Sequence, residues 1–238
     1  MKRIVLALML CLLALPASAA NFSDWAVVII AGDDHAHSGA PSQVFDNARR
    51  DLARGFASIG FNPNNMTQFS VDPAPDAQQT DATDIANGLW DTTGRAKSGC
   101  LIYYTSHGTP TGIVMNGGVM TPDNWSHIVN NACGSKPAVI VMSSCYSGQF
   151  VPALAGANRM VFTAARPDRT SFGCGDDDHY TYFDGCFLQS LPQSGSFPDL
   201  AKQTIGCVSK LEAQTGVDYP SEPQLFIGQG VASQLSWR

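Results

Sequence analysis

Residues 138–150 read AVIVMSSCYSGQF, a short apolar run followed by two serines, a cysteine and a glycine. An apolar run of this length that ends in small polar residues predicts a buried parallel strand and then a tight turn. In open α/β sheets the chemistry lies beyond the carboxyl ends of the strands. We therefore expect the thiol of Cys145 to lie at the rim of a rigid sheet and to face a cleft.

A second stretch, LIYYTSHG at residues 101–108, has the same form and ends in His107 and Gly108. If the two strands are neighbours, one edge of the sheet holds a cysteine nucleophile beside its general base. The N–H groups of Gly108 and Cys145 are the expected oxyanion-hole donors, because Gly108 has no Cβ to keep a substrate away. Ser147 and Gly148 let the chain turn into a helix whose first N–H groups would favour a thiolate.

Each of these two residues also has a structural explanation when it is taken alone. Cys145 could be a small buried hydrophobic residue, which is the commonest fate of a free cysteine. His107 could be a loop histidine that is bonded to a backbone carbonyl. The prediction of catalysis depends on the two strand ends meeting at one edge.

The rest of the chain alternates between apolar runs and amphipathic segments. This alternation predicts an α/β fold in which a mostly parallel sheet has helices on both faces, in a single domain over residues 21–238. A β-hairpin over residues 109–120 is indicated by the Asn116-Gly117 turn. The predicted strands cover residues 25–31, 66–71, 100–106, 137–142, 159–164 and 224–227, and the predicted helices cover 42–59, 83–90, 121–133, 180–191 and 198–213.

The first twenty residues have the pattern of a secretory signal peptide. Lys2 and Arg3 precede an apolar run over residues 4–15, and Ala17-Ser18-Ala19 is a small-residue cleavage site. We expect the protein to be exported, either to the periplasm or out of the cell, and not to be inserted in a membrane once the peptide is removed. The full chain has a net charge of −6, and the leader contains two of its cations, so nucleic acid is not an expected partner.

Export permits disulfides, and the cysteine positions suggest two of them. Cys100 begins one predicted strand and Cys133 lies just before the next, so neighbouring strands would place both at the amino-terminal edge of the sheet. This predicts a Cys100–Cys133 disulfide. Cys186 and Cys207 lie on consecutive predicted helices and form the second candidate pair.

The motifs TSHG and SSCYSG resemble the His-Gly and Cys-x-x-Gly signatures of caspase-fold cysteine peptidases. The order of segments from about Trp25 to Asp184 resembles the legumain (asparaginyl endopeptidase) family, in particular its bacterial exported members. The resemblance implies a caspase-like three-layer sandwich with about six mostly parallel strands and a peptide or protein substrate. It also implies that His107 is the general base and acid, that Cys145 is the nucleophile, and that catalysis needs no metal and no cofactor.

This chain departs from the legumain pattern at two positions that line the substrate pocket in that family. The acid that stands two residues before the cysteine is replaced by Ser143, and the arginine after the first strand is missing. A strict preference for asparagine is therefore not expected. The orienting asparagine of the family aligns loosely with Ser42. The candidates for the substrate pocket are Ser42, Ser143, Ser171 and Asp184, with Phe172 beside them.

Two acidic segments are expected near the cleft, Asp33-Asp34 and residues 176–178. An acidic rim would favour a basic or polar residue before the cut bond, although a solvated acidic loop explains the same residues equally well. Asp33, Asp34, His35 and His37 also have the side chains of a zinc or calcium site, but such loops usually face solvent and we expect no metal.

The sequence thus predicts a cysteine endopeptidase that forms an acyl-enzyme at Cys145. An amine could resolve the same acyl-enzyme, which would make the protein a transpeptidase. A different class of function is a catalytically silent caspase-like domain that binds peptides or another envelope protein. Cys174 is either a structural residue or a second reactive thiol.

Overall fold

A seven-stranded sheet runs through the computed structural model, which describes residues 20–72 and 75–238. The predicted signal peptide falls almost entirely outside these residues. The main sheet contains β1 (Trp25–Ala31), β2 (Met66–Ser70), β3 (Gln78–Gln79) and β4 (Gly99–Thr105). A second, three-stranded sheet follows, made of β5 (Gly108–Thr109), β6 (Gly112–Met115) and β7 (Gly118–Met120). The main sheet is completed by β8 (Ala138–Ser143), β9 (Arg159–Thr163) and β10 (Gln224–Ile227).

The strand order in the main sheet is β10-β9-β8-β4-β1-β2-β3. Every neighbouring pair is parallel except β10, which runs antiparallel to β9. The prediction of a mostly parallel α/β sheet is confirmed, with one strand more than expected. The additional strand is β3, two exposed residues in a polar loop, which have no hydrophobic pattern to reveal them.

Helices cover both faces of the sheet, because the strand residues that point to each face are apolar and must be buried. Val27 and Ile29 belong to one core, which also contains side chains of the first, fifth and sixth helices. Val28 and Ile30 belong to the opposite core, with side chains of the second and third helices. The result is the expected three-layer sandwich. The helices are α1 (Val44–Ser58), α2 (Ala82–Arg95), α3 (Pro122–Cys133), α4 (Val151–Leu154), α5 (Tyr182–Ser190) and α6 (Phe197–Thr215).

Helix starts mostly follow the predicted caps. The Thr121 hydroxyl accepts the N–H of Asn124 at 3.4 Å, and Pro122 occupies the first turn of α3. Helix α1 differs, because Ser42 lies two residues before Val44 and accepts its N–H at 3.2 Å from outside the helix.

Both predicted disulfides are present. Cys100, in β4, is bonded to Cys133 at the end of α3, and Cys186 in α5 is bonded to Cys207 in α6. The first disulfide lies at the amino-terminal edge of the sheet, as the sequence predicts. It therefore leaves the opposite edge of the same strands free for other chemistry.

The predicted hairpin forms β6 and β7 and folds back over the carboxyl ends of the central strands. Asn116 and Gly117 have φ values of 46° and 79°, which is the left-handed pair that a tight hairpin turn requires. The N–H of Asn116 donates to the carbonyl of Gly32 at 2.8 Å, and the Ser106 hydroxyl donates to the carbonyl of Val114 at 2.9 Å. The hairpin is thereby fixed beside the predicted active edge.

Among the helices in the described residues, none combines the length and the apolar character needed to cross a bilayer.

Candidate active site

The central strands β4 and β8 bring His107 and Cys145 to the same edge. The two strands are adjacent and parallel, and their last residues, Thr105 and Ser143, face each other in the register. His107 and Cys145 each follow two residues after that pair. The sheet therefore delivers both side chains to one level of its carboxyl edge.

The ring of His107 is held on two sides. Its Nε2 lies 3.0 Å from the backbone carbonyl oxygen of His35, and the ring of Phe45 meets it edge-on with the centroids 5.1 Å apart. A carbonyl can only accept, so Nε2 holds the proton in this contact. In the neutral ring, Nδ1 is then the basic nitrogen, which is the tautomer that a general base needs.

The loop that presents the His35 carbonyl is shaped by Asp33. One carboxylate oxygen of Asp33 accepts the N–H groups of Asp34 and His35 at 2.8 and 3.1 Å and lies 3.0 Å from His35 Nδ1. The hydrogen bond to Asp33, together with the charge of Asp34, raises the pKa of the exposed His35. Potential ligand atoms of Asp33, Asp34 and His35 lie within 4.8 Å of one another. These internal hydrogen bonds account for the cluster, and His37 lies outside it.

The loop after β9 closes over the thiol of Cys145. The N–H of Ser171 donates to Sγ at 3.3 Å, and Sγ also lies 3.6 Å from the carbonyl oxygen and from the hydroxyl of Ser171. The N–H of Tyr146 donates to the carbonyl of Arg169 at 2.7 Å. Ser171, a predicted pocket residue, thus touches the nucleophile candidate directly.

The helix predicted after Cys145 is present, but it is short. Tyr146 adopts a left-handed conformation with φ of 57°, and a 3-10 turn over Ser147–Phe150 leads into α4, which has four residues. The 3-10 turn runs directly into α4, so a short helical stretch does follow Cys145. Its support for the thiolate stays a prediction, and the hydrogen bond to Sγ comes from the N–H of Ser171 on the opposite loop.

Gly108 lies directly against the peptide of Cys145. A Cβ on Gly108 would stand 2.0 Å from the Cys145 carbonyl oxygen and 3.0 Å from its nitrogen, so no larger residue fits without a shift. Gln149 ties the two segments together, because its Nε2 donates to the carbonyls of Thr109 and Tyr146 at 2.8 and 3.0 Å. The predicted oxyanion donors, the N–H groups of Gly108 and Cys145, thus belong to two tightly packed backbone segments.

A buried carboxyl lies beneath this edge. Asp184 has no exposed surface and accepts the hydroxyls of Tyr103 and Thr105 at 2.7 and 2.6 Å. Burial raises its pKa, although the hydroxyls around it, including that of Ser143, act in the opposite direction. Ser143 is also buried. Both residues were predicted to line the substrate pocket, and the structure places them under the strand ends, with no open surface.

The acidic loop meets the beginning of α1. Ser42 is buried at the edge of a cavity of about 310 Å³, and the Ser38 hydroxyl donates to Asp176 across the same region. The structure thus brings the Ser42 segment and the acidic residues together. The cavity is lined by Pro41, Ser42, Gln43, Asn47, Asp176, Asp177, Asp178 and His179.

Three features of the site have no signal, or only a weak one, in the sequence. The carbonyl of His35 is a backbone group, which sequence patterns do not reveal. Phe45 is predicted only as an apolar residue of the first helix, and its contact with His107 depends on how that helix packs. The network of Asp184 joins residues 79 and 81 positions apart in the chain.

Comparison with known proteins agrees with this architecture. The sequence model of the Peptidase C13 family matches residues 17–211. Among solved structures, Caspase-1 from Spodoptera frugiperda superposes with a TM-score of 0.63 over 89% of each chain, at 12% sequence identity. At that identity the similarity shows a common fold alone. No curated protein matches the chain.

Proposed function

The chain belongs to the Peptidase C13 family, and we propose that it is a cysteine endopeptidase with Cys145 as nucleophile and His107 as general base and acid. Family and fold support a cysteine peptidase of the caspase-like type. The observation that carries the two residue roles is the hydrogen bond from His107 Nε2 to the His35 carbonyl. This hydrogen bond leaves Nδ1 as the basic nitrogen of His107. His107 follows the end of β4, next to β8, whose end presents Cys145.

The reaction uses these groups in order. His107 Nδ1 takes the thiol proton, and Sγ attacks the carbonyl carbon of the scissile bond. The N–H groups of Gly108 and Cys145 stabilise the oxyanion that forms on the former carbonyl oxygen. The C–N bond then breaks, the leaving amine takes the proton from His107, and an acyl-enzyme remains on Cys145. A water molecule, deprotonated by His107, releases the acid product and restores the thiol.

The test is labelling of the thiol by a cysteine-directed electrophile, either iodoacetamide or a peptidyl acyloxymethyl ketone. We expect Cys145 in the wild type to be labelled near neutral pH, and labelling to fall about tenfold or more in His107→Ala, because the thiolate loses its base. Cys174→Ser is the matched control, since it removes the other free thiol of the described residues and should leave Cys145 labelling intact. Equal labelling in wild type and His107→Ala would favour the silent peptide-binding domain.

Cleavage of a proteome-derived peptide library then separates hydrolysis from transpeptidation. Wild type is compared with Cys145→Ala, with and without a primary amine such as a glycine peptide in excess. Hydrolysis gives products with free carboxyl ends under both conditions. A transpeptidase would instead yield products extended by the added peptide, because the amine competes with water for the acyl-enzyme.

We propose further that the acidic loop favours a basic residue before the cut bond. The support is the cavity that Ser42 shares with the three consecutive aspartates at 176–178. The library reports this preference directly, and Asp177→Asn should weaken it by a few-fold, as expected for an exposed charge. Asp91→Asn, an exposed acid on α2, is the control. A wild type that cleaves without regard to Lys or Arg at that position contradicts the proposal.

Export to the periplasm or the medium is likewise a proposal. It is supported by the N-terminal pattern of Lys2, Arg3 and the following apolar run, and by the two disulfides, which persist in oxidising compartments. Intact mass of the protein recovered from the periplasm or culture medium should place the new N-terminus at or near Asn21. A full-length protein that stays in the cytoplasm contradicts this.

A further inference from the structure

Two free cysteines lie in the described part of the chain, Cys145 and Cys174. The other four described cysteines are paired in disulfides. Cys174 takes no part in the reaction described above. Its place in the fold nevertheless brings it to the same small region as the nucleophile.

The loop that carries Cys174 is the one that touches the nucleophile. Ser171 donates its N–H to Cys145 Sγ at 3.3 Å, and Cys174 follows three residues later. The carbonyl of Cys174 accepts the N–H of His37 at 2.8 Å, which ties the loop to the segment that presents the His35 carbonyl. The backbone of Cys174 thus joins the loop that contacts Cys145 to the segment that contacts His107.

The side chain of Cys174 faces the same region. It packs against a small buried cluster formed by Ala31, Val44 and Phe45. Phe45 is the residue whose ring meets the ring of His107 edge-on. Cys174 and His107 thus contact one small group of side chains, and the Cys174 loop also contacts the Cys145 thiol through Ser171.

The two thiols have different chemical character. Burial, with smaller contributions from the nearby Cys145 and Asp178, raises the pKa of Cys174 to about 11. Cys174 is therefore protonated near neutral pH and reacts slowly with oxidants, which attack thiolates. Cys145 is partly exposed, accepts an N–H at its sulfur and has His107 at the neighbouring strand end. Of the two, Cys145 is the one that an oxidant meets first.

We propose that Cys174 is a resolving thiol, which closes a reversible disulfide with Cys145 after a hydroperoxide has oxidised the nucleophile. The inference rests on the proposed function, because it takes Cys145 to be the reactive thiol. The disulfide would switch the enzyme off and at the same time protect its nucleophile from irreversible oxidation.

The chemistry balances with a hydroperoxide as the only oxidant. The Cys145 thiolate attacks one peroxide oxygen, the O–O bond breaks, and the sulfur becomes a sulfenic acid while hydrogen peroxide loses its other oxygen as water. The Cys174 sulfur then attacks the Cys145 sulfur, the S–O bond breaks, and the hydroxyl leaves as water with the Cys174 proton. Two thiols and one hydrogen peroxide give one disulfide and two waters.

The loop has the means to bring the sulfurs together. Disulfide formation requires Cα atoms within about 7 Å and correctly directed Cβ atoms, so the loop must adjust to meet that geometry. Cys174 lies between Gly173 and Gly175, and Gly173 already has a φ of 85°. Glycines on both sides lower the cost of turning the Cys174 side chain toward the nucleophile.

The experiment follows both thiols by mass spectrometry, without relying on a substrate. The full protein, with its two structural disulfides intact, is treated with a small excess of hydrogen peroxide, blocked with N-ethylmaleimide and digested without reduction. We expect a peptide pair linked through Cys145 and Cys174, loss of iodoacetamide labelling at both residues, and recovery of both on mild treatment with dithiothreitol.

Cys174→Ser and Cys174→Ala are the decisive variants, and either one suffices if the other folds poorly. Before peroxide, their Cys145 should be labelled as in the wild type. After peroxide, Cys145 should pass to the sulfinic acid, so that dithiothreitol restores about tenfold less labelling than in the wild type. In Cys145→Ser, the same dose of peroxide should leave Cys174 reduced.

The outcomes distinguish the two proposals. If Cys145 is labelled normally in the reduced protein but peroxide gives no linked pair, Cys174 is only a packing residue and the inference fails while the proposed function stands. Equal recovery in wild type and Cys174→Ser, or a link between two copies of the chain, also overturns it. Failure to label Cys145 in the reduced protein would remove the proposed function first.

Discussion

Cysteines lie near both ends of the neighbouring strands β4 and β8, and the cysteines at the two ends differ in burial and in pairing. At the amino-terminal edge, Cys100 is joined to Cys133, and both are buried in the core. At the carboxyl edge, Cys145 is a partly exposed free thiol, close to a backbone N–H and on the strand beside that of His107. An inert disulfide, which ties β4 to the end of α3, and a candidate nucleophile thus lie at opposite ends of the same two neighbouring strands.

The comparison teaches that surroundings, more than the residue type, decide what a cysteine does. Apolar packing and a partner thiol at bonding distance make the Cys100–Cys133 end purely structural. In the proposed function, loops that supply a hydrogen-bond donor and an oriented imidazole make the other end reactive. Five changes, in order of decreasing effect, test this contrast.

The largest effect on activity is expected when Cys145 or His107, the proposed catalytic pair, is removed. Cys145→Ala or His107→Ala should lower kcat by about 10⁴-fold or more, because the two residues act as a unit. Steady-state cleavage of the best library peptide measures the loss, and thermal unfolding checks that the variants are folded. Activity that survives in Cys145→Ala would place the nucleophile elsewhere and end the comparison.

Asp184 accepts hydrogen bonds from two buried hydroxyls of β4, and its removal should lower the free energy of unfolding. Asp184→Ala should reduce the free energy of unfolding by about 3–5 kcal/mol, because the buried hydroxyls of Tyr103 and Thr105 lose their acceptor and a cavity opens. Urea unfolding of the variant and the wild type gives the difference. A loss below about 1 kcal/mol, the scale of one ordinary hydrogen bond, would mean that the network is unimportant.

Removing the Cys100–Cys133 disulfide should lower the stability of the fold without changing the reactivity of Cys145. The disulfide joins residues 33 positions apart in sequence. Replacing both Cys100 and Cys133 by alanine should therefore cost about 3–4 kcal/mol by the loop-entropy relation. Labelling of Cys145 in the folded fraction should be unchanged. A variant that stays folded but no longer labels would show that the two ends are coupled through the strands.

Gly108 tests how closely the reactive end is packed. Gly108→Ala places a methyl group in contact with the Cys145 carbonyl and forces the two backbone segments apart. A displacement of this size at an oxyanion site typically lowers kcat by about 10²-fold, with a smaller change in KM. The separate kcat and KM values decide the matter, and an unchanged kcat would exclude Gly108 from the oxyanion hole.

The smallest expected effect is a pH dependence of the free energy of unfolding, which comes from the titration of Asp184. Its folded pKa is raised, so the native state binds a proton more readily than the unfolded chain does. That contribution to stability is complete below about pH 4, the unfolded pKa, and is lost as the pH rises through the folded pKa.

Asp184→Asn removes this titration while it keeps one acceptor oxygen in place. The stability of the wild type relative to Asp184→Asn should therefore fall with rising pH, because the wild type loses the bound proton that the raised pKa retains. Urea unfolding of both proteins between pH 4 and pH 8 measures the trend. A difference that stays constant, or that grows with pH, contradicts the raised pKa.

Much of this architecture could be predicted because its signals are local. Apolar runs mark the buried strands, Asn116-Gly117 marks the hairpin turn, and Thr121 with Pro122 marks the start of α3. The two disulfides followed from the order of elements, since Cys100 and Cys133 lie at the same edge of the sheet and Cys186 and Cys207 lie on consecutive helices. The short strand β3 was missed because its pairing with β2 leaves no pattern in its own residues.

The site itself could be predicted only in part. His107, Gly108 and Cys145 could be identified because each follows a predicted buried strand at the edge of the sheet where chemistry is expected. Ser143 and Asp184 were predicted to line the substrate pocket, and the structure shows that both side chains are buried. Solvent exposure depends on which loops cover a strand end, and residue type alone does not decide it.

The sequence by itself determined the class of fold, the pair of strand ends proposed to carry the chemistry, and the disulfide framework, because periodicity and turn residues act over short distances. Only the tertiary structure decided which nitrogen of His107 is free and which N–H supports the Cys145 thiol. It also decided which carboxyl is buried below them and that a second thiol lies close by. These are contacts between loops far apart in the chain, and packing alone brings such loops together.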